Sequence, residues 1–221
     1  MKRLLLIILS LFILSISIKA QPLNDSTSQH QIKFHFGIKA GANFVKPGYL
    51  GWEQSFKLSI MGGAFLGILY NQKIGVQTEL LISTTHYKSN YMYTNDLGYP
   101  IGKEEYRVTY FDIPIIFQYK LTPPKMKLKL LLMVGPQISQ IISVINLNEA
   151  VKNVAYGNGP NEINFNSGIF AGIAGMEIRY KKIAIGGRYI LGFTNTNKFY
   201  KRDDISSKNN CLQFYAGFRI R

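Results

Sequence analysis

From Phe34 onward, apolar and mixed positions alternate with a period of two, which predicts β-strands between two different environments. One face of nearly every segment is apolar without interruption, whereas the other carries glycine, glutamine and charged residues. Eight segments show the pattern: HFGIKAGANF, FKLSIMGGAFLGILY, IGVQTELLIS, YFDIPIIFQYK, KMKLKLLLMVGPQIS, SGIFAGIAGMEIRY, IAIGGRYILGF and LQFYAGFRI. The sequence contains no amphipathic helical pattern, internal repeat or second domain.

The connections between these segments alternate in length. The short ones cover residues 71–73, 121–125 and 181–182, and the long polar ones cover about 45–55, 85–105, 141–163 and 194–210. Short turns at one end and long loops at the other are typical of outer-membrane barrels. A soluble eight-stranded barrel would instead have an apolar lumen and a polar outside. We therefore predict an all-β fold, an eight-stranded antiparallel up-and-down transmembrane β-barrel of the outer-membrane type.

Aromatic residues occupy matching heights on the apolar face. They are Tyr70, Tyr119 and Tyr180 beside the short turns, and Phe44, Phe56, Phe111 and Phe193 toward the long loops. Aromatic rings gather at both membrane–water interfaces of such barrels. Because tyrosine and phenylalanine are common in any strand, the prediction of two interface girdles depends on this shared face and height.

The mixed face carries charges that a lipid-facing surface would exclude. They are Lys39, Glu79, Asp112, Glu177, Arg188 and Arg219. Eight strands enclose a lumen that side chains can fill, and a lone buried charge is costly. We predict a structural ion-pair network there, with Glu177 against Arg188, Glu79 reaching across to Arg188 or Arg219, and Asp112 beside a cation. An ion path lined by the same residues is the alternative.

The segment YFDIPIIFQYK, residues 110–120, contains two residues that a core strand would exclude. Asp112 brings a carboxylate, and Pro114 lacks the backbone donor that a ladder needs. Parity places both on the mixed face together with Gln118, so they point into the lumen. Pro114 is expected to remove one interstrand hydrogen bond or to mark a bulge.

The N-terminus has the composition of an export signal. MKR is positively charged, Leu4–Ile18 is apolar, and Ala20 precedes a polar stretch. The apolar run is shorter than the ~20 residues of a spanning helix, so a membrane anchor is the less favoured alternative. We predict a signal peptide over residues 1–20, a polar periplasmic lead-in over 21–33 and the barrel over 34–221, located in the outer membrane.

Composition narrows the expected partners. The net charge is +14, but no basic helix or run of like charges is present, so nucleic acid is not an expected partner. Cys211 is the sole cysteine of the sequence, which excludes an intramolecular disulfide and a cysteine-based metal site. No nucleotide-binding loop, zinc spacing or nucleophile elbow occurs, so we predict no cofactor and no metal.

Several motifs carry a family resemblance. They are GIKAGANF, QTELLIS, YFDIPIIFQYK, GPQIS, GIFAGIAGMEIRY and GRYILGFTN. Through these motifs the chain resembles the outer-membrane β-barrel family that includes the PorT-like proteins of Gram-negative bacteria. The resemblance covers about Phe34 to Arg221. The resemblance implies an eight-stranded outer-membrane barrel. PorT itself is associated with a secretion machinery, and the family is broad.

The sequence favours a non-enzymatic, monomeric barrel that acts as a structural or accessory interaction protein in secretion or envelope assembly. Its expected partners are outer-membrane lipids, and envelope or secretion proteins that contact the long loops or the periplasmic turns. One alternative is an outer-membrane hydrolase or acyltransferase that uses Ser83, His86 and Asp96 near the extracellular rim. The other alternative is a small pore.

Overall fold

The computed structural model describes residues 32–48, 53–70, 73–94, 97–98, 100–123, 126–148, 168–195 and 208–220. The chain divides into Met1–His30 and Gln31–Arg221. The predicted signal peptide, and all but the last two residues of the predicted lead-in, lie outside the described residues. The described part of the chain contains no helix that is long and apolar enough to cross a membrane.

Eight antiparallel strands form one closed sheet in chain order, and β8 pairs with β1. The strands are β1 (Ile32–Lys46), β2 (Lys57–Tyr70), β3 (Ile74–Thr94), β4 (Pro100–Lys120), β5 (Leu128–Asn146), β6 (Gly168–Tyr180), β7 (Ile183–Gly192) and β8 (Asn210–Arg219). The prediction of an eight-stranded up-and-down barrel is confirmed. Over the height that all eight strands share, closure leaves no sheet edge unpaired, as a backbone in lipid requires.

Side chains alternate between an apolar outer surface and a polar interior. The outward Ile60 and Ile185 are 70% and 63% exposed, whereas the inward Glu79 and Arg188 are 0% and 1% exposed. This facing agrees with the parity read from the sequence. The outer surface suits lipid, and the inner one requires each polar group to find a partner.

Three neighbouring strands are much longer than the others. β3 and β4 have 21 residues each and β5 has 19, whereas β7 and β8 have 10 each. A tilted strand needs only ~9–11 residues to cross a bilayer. The barrel wall formed by β3, β4 and β5 therefore continues well beyond the height at which β7 and β8 end.

These extensions correct the predicted loop boundaries. Only residues 95–99 separate β3 from β4, so most of the loop predicted over 85–105 is strand. The first six residues of the loop predicted over 141–163 belong to β5. The outward residues of β3 change from Leu80 and Ile82 to Thr84, His86 and Lys88. The apolar face stops there because the strand leaves the lipid, not because it ends.

Pro114 interrupts the ladder between β3 and β4. Residue pairing stops at Thr78 and Ile115 and resumes at Leu81 and Asp112 without a register shift. Pro114 has no N–H to donate, and its carbonyl oxygen accepts a 3.3 Å hydrogen bond from the Thr78 hydroxyl. Pro114 therefore removes local pairing, and of the two expected outcomes the bulge does not occur here.

Candidate functional site

Glu79 on β3 lies at the centre of the lumen. Its Oε1 is 2.5 Å from Lys39 Nζ, and its Oε2 is 2.9 Å from Arg188 Nη1. Gln77 Nε2 donates a further 2.7 Å hydrogen bond to Oε1. Lys39 belongs to β1 and Arg188 to β7, so these contacts join distant parts of the barrel wall across the interior.

A second carboxylate, Glu177 on β6, lies next to this group. Arg179 Nε donates to Glu177 Oε1, and the Tyr215 hydroxyl donates a 2.8 Å hydrogen bond to Oε2. Lys39 Nζ is 3.9 Å from Glu177 Oε2 and 3.7 Å from the centroid of the Tyr215 ring. We call the five charged residues the lumen charge layer: Lys39, Glu79, Glu177, Arg179 and Arg188.

Amide side chains extend the lumen charge layer on both sides. Arg188 Nε donates to Gln213, whose Nε2 donates to Asn43 Oδ1 at 2.6 Å. Arg179 Nη2 donates to Gln118 at 3.0 Å and to Gln77 at 3.1 Å. The amides thus satisfy Arg188 Nε and Arg179 Nη2, which the two carboxylates do not reach. Arg188 Nη2 has no partner among the described residues.

The lumen charge layer is suited to filling the barrel, since its carboxylates are already paired with cations. Losing one member would leave a buried charge without its partner, which is far more costly than the net value of the pair. In the part of the chain that the structure describes, no group of His, Cys, Asp and Glu side chains could hold a metal ion.

The structure brings four of the six predicted lumen charges together, namely Lys39, Glu79, Glu177 and Arg188. The predicted contact between Glu177 and Arg188 does not form. The β6–β7 register sets Arg188 opposite Gly175 and Glu177 opposite Gly186, so each reaches for a partner on another strand. The predicted reach of Glu79 across the lumen to Arg188 is present.

Asp112 and Arg219 do not join the lumen charge layer, which corrects the expectation for both. Asp112 accepts a 2.6 Å hydrogen bond from the Ser83 hydroxyl and is also hydrogen bonded to Ser139. Arg219 lies at the end of β8, where its Nη2 donates to the backbone oxygen of Lys181 at 2.7 Å. Both residues face inward but lie at other depths than Glu79.

The sequence prediction left Arg179, Tyr215 and the amide residues out of the network, although it placed Gln118 in the lumen. The signal was present for Arg179, because it lies two positions from Glu177 on the same face of its strand. Tyr215 shares the inward face of β8 with Gln213. The contacts of Arg179 and Tyr215 depend on which strands face each other across the lumen. The alternation of residues within one strand does not indicate which strands these are.

The predicted interface aromatics lie on the outer surface. Tyr70, Tyr119 and Tyr180 are 44%, 49% and 45% exposed beside the short connections. Near the other end, the rings of Phe44 and Phe214 meet edge to face with centroids 6.1 Å apart, and those of Phe170 and Phe193 are 5.8 Å apart. Phe56 is exposed just before β2, and Phe111 is half-buried on β4.

Above the lumen charge layer, an aromatic cluster lines the inner side of the long strands. Its members are Tyr87, Tyr106, Val108, Tyr110 and Ile169. The hydroxyls of Tyr87 and Tyr110 are 2.8 Å apart, and Asn209 Nδ2 donates to Tyr87. The hairpin above the membrane, residues 84–94 and 100–109, thus has a packed inner face. We call it the protruding hairpin.

Glu53, in the connection between β1 and β2, attaches that connection to the protruding hairpin. Its backbone N donates to the Lys88 oxygen at 2.7 Å. Its carboxylate is 2.7 Å from Lys57 Nζ and 3.0 Å from Lys103 Nζ. Hydrogen bonds from Lys57 and then Lys103 lower the pKa of Glu53 from 4.5 to about 2. The carboxylate therefore stays ionised over nearly the whole pH range.

An apolar belt on the outside, a charged and filled lumen, and eight closed strands define a transmembrane barrel of the outer membrane. Residues 19–198 match the family described as outer membrane protein beta-barrel domain. The chain belongs to this family, and the outer membrane is its location. No curated protein matches the sequence.

Solved barrels with low identity resemble the structure. Neisserial surface protein A (NspA) is 8% identical, with a TM-score of 0.45 over 85% of this chain and 98% of that one. Ail of Yersinia pestis, solved with the heparin analogue sucrose octasulfate, is 14% identical, with a TM-score of 0.40 over 85% and 99%. E. coli outer membrane protein W is 14% identical, with a TM-score of 0.42 over 84% and 97%.

Proposed function

We propose that the protein is a non-enzymatic, monomeric barrel that acts as an accessory interaction protein, with the protruding hairpin as its docking surface. The observation that carries this proposal is the length of β3 and β4, which have 21 residues each. About half of each strand would suffice to cross the membrane. The remainder forms a sheet outside the bilayer that the barrel itself does not need.

The protruding hairpin is held in place on both flanks, as a docking surface should be. Glu53 braces it from the β1–β2 connection. From the β5 side, Leu147 N donates to the Glu105 oxygen at 2.7 Å, and Asn148 Nδ2 donates to the Lys103 oxygen at 3.1 Å. A surface fixed before binding loses less conformational entropy when a partner docks.

The outer face of the protruding hairpin is polar and carries both signs of charge. Arg107 Nε donates to His86 Nε2 at 3.1 Å, and Lys88 is paired in register with Glu105. Such a surface suits a folded envelope protein better than lipid, because charge complementarity orients a polar partner. The PorT-like resemblance supports a partner from a secretion or envelope-assembly machinery.

The test is complementation with a shortened hairpin. Lys88 lies opposite Glu105, so replacing residues 89–104 by Asn-Gly closes a short turn between them. We expect a strain lacking the protein to be impaired in secretion or envelope integrity, and the full chain to restore it. The shortened barrel should still insert into the membrane, as heat-modifiable migration would show. It should nevertheless fail to restore secretion or envelope integrity. Full restoration by the shortened barrel would refute the proposal.

A small pore is the weaker reading, because buried and mutually paired charges occupy the lumen. Glu79 and Arg188 have no exposed side-chain surface, and Lys39 has 1%. Charges that line an aqueous path would instead be hydrated. Planar-bilayer recordings should therefore show no stable single-channel conductance.

The candidate hydrolase site is not assembled, because Ser83 and His86 lie on opposite faces of β3. Ser83 points into the lumen and donates to Asp112, whereas His86 points outward and accepts from Arg107. Residues of opposite parity on one strand lie on opposite faces, so His86 cannot activate Ser83. Asp96, the third candidate, lies outside the described residues.

A further inference from the structure

The barrel opens at its short-turn end into a basic cavity of about 380 Å³. Six cations line it: Lys33, Lys120, Lys129, Arg179, Lys182 and Arg219. No carboxylate belongs to the described lining. In outer-membrane barrels this end faces the periplasm. We call the cavity the basic mouth, and it lies at the opposite end from the protruding hairpin.

The positive charge of the basic mouth is mostly unpaired. Among the residues that the structure describes, neither Lys120 Nζ nor Lys129 Nζ has a hydrogen-bond acceptor or a carboxylate partner. Lys120 is nevertheless only 5% exposed. Within the described part of the chain, Arg179 is the one lining cation with an acidic partner, which is Glu177 in the lumen charge layer. Lys129 and Arg219 are partly buried, whereas Lys33 and Lys182 are exposed at the rim. Like charges gathered around one cavity repel each other, and an anion bound between them would relieve that repulsion.

His35 gives a second and independent indication of a ligand. Its side chain lines the basic mouth, it is 2% exposed, and its Nδ1 has no partner among the described residues. A buried ring nitrogen without a partner is costly unless a ligand or water completes it.

The neighbours of His35 determine which nitrogen carries the proton. Gln77 Nε2 donates to Glu79, so Gln77 Oε1 is the atom that faces His35 Nε2 at 3.2 Å. The same oxygen also accepts from Gln118 and Arg179. His35 Nε2 must therefore donate, and in the neutral ring Nδ1 is an acceptor. The basic mouth thus combines cations with one buried acceptor.

We propose that the basic mouth binds phosphate, as inorganic phosphate or as a phosphomonoester group. The lysines and arginines match the anionic oxygens. His35 Nδ1 matches the hydroxyl that hydrogen phosphate carries at neutral pH and that a phosphomonoester carries in its singly protonated form. Sulfate has the same shape and no hydroxyl at neutral pH, so His35 disfavours it. The volume of about 380 Å³ leaves room for an organic group attached to the phosphate.

Calorimetric titration of the full folded chain in zwitterionic micelles, at fixed ionic strength, tests the proposal with inorganic phosphate as the probe. Phosphate should bind, and sulfate should bind about tenfold more weakly. Lys120→Gln and Lys129→Gln should each weaken phosphate binding about tenfold. Lys181→Gln is the matched control, since it removes the same charge at the same end from a residue outside the lining.

His35→Phe should reduce the preference for phosphate over sulfate without abolishing anion binding. Heat-modifiable migration checks that each variant is folded, and the lysine variants test the site independently of His35. Equal affinity for phosphate and sulfate, or phosphate binding insensitive to Lys120→Gln and Lys129→Gln, would overturn the proposal.

Native mass spectrometry separates the two sources of a phosphate group. Micelles are doped with phosphatidic acid, a phosphomonoester lipid, or with phosphatidylglycerol, a phosphodiester. Selective retention of phosphatidic acid, lost in Lys120→Gln, would assign the basic mouth to a lipid headgroup. Binding of inorganic phosphate without lipid retention would assign it to a free periplasmic phosphate. Binding of neither would overturn the proposal.

Discussion

Glu79 Oε2 accepts a 2.9 Å hydrogen bond from Arg188 Nη1, although 109 positions separate the two residues. Neither side chain has any solvent exposure. The pair joins β3 to β7 through the lumen rather than along the sheet. It therefore couples two walls of the barrel that share no backbone hydrogen bond.

Replacing Arg188 by alanine should destabilise the barrel by about 3–5 kcal/mol, because the buried Glu79 would lose one of its two cationic partners and keep only Lys39. Urea unfolding in lipid vesicles measures the change. Arg219→Ala is the matched control, since Arg219 is half-buried at the barrel end, and it should cost clearly less. A nearly neutral Arg188→Ala in a barrel that conducts ions would show that the lumen is hydrated.

A charge introduced on the outer face should cost more at mid-height than at the interface. On β4, Ile115 lies midway between Phe111 and Tyr119. Ile115→Arg therefore places a cation in the lipid core, which should destabilise the barrel by about 2–4 kcal/mol. Tyr119→Arg, on the same face of the same strand, should cost about 0–1 kcal/mol. Folding into vesicles compares them, and equal costs would contradict the assigned membrane position.

Gly186 leaves the space that the Tyr215 ring occupies. A Cβ at Gly186 would lie 2.5 Å from the Tyr215 hydroxyl oxygen, which donates to Glu177. Gly186→Ala should therefore destabilise the barrel by about 1–3 kcal/mol. At the outward neighbour Gly187, a Cβ would meet the edge of the Phe214 side chain at 3.2 Å and the Gln213 backbone oxygen at an ordinary 3.9 Å. Gly187→Ala should therefore be close to neutral in the same unfolding assay.

Glu53 should titrate well below an ordinary glutamate. Its pKa is lowered to about 2 in the folded protein, so its stabilising contribution is complete above the usual value near 4.5 and is lost as the pH falls toward 2. The contribution is small because the ion pairs are partly exposed. Carboxyl NMR of the micelle-bound protein measures the pKa.

Lys103→Met should raise the pKa of Glu53 toward its ordinary value, since one of its two lysine donors is lost. Lys46→Met, which removes a lysine that does not contact Glu53, should leave the pKa unchanged. If Glu53 titrated normally in the parent protein, the ion pair that attaches the β1–β2 connection to Lys103 of the protruding hairpin would not exist in solution.

The sequence was sufficient to predict the number of strands and the face on which each side chain lies. Both predictions follow from the segments that alternate with a period of two. Asp112 and Ile115 could be assigned to opposite faces in this way. Partner choice could not, because it depends on register, and Glu177 and Arg188 miss each other by two positions across β6 and β7. The sequence analysis also missed the upper ends of β3 and β4. The apolar pattern stops where a strand leaves the lipid, and the strand itself continues beyond that point.

The lumen charge layer also constrains how the barrel enters the membrane. Lys39 and Glu79 are synthesised early, whereas Arg188 follows on β7. A partial sheet of the first strands, inserted alone, would hold Glu79 in the bilayer without Arg188, and an intramembrane charge without its partners is expensive. Piecewise insertion is therefore penalised. The eight strands should instead close around their charges while water still reaches the lumen, and cross the lipid as one unit.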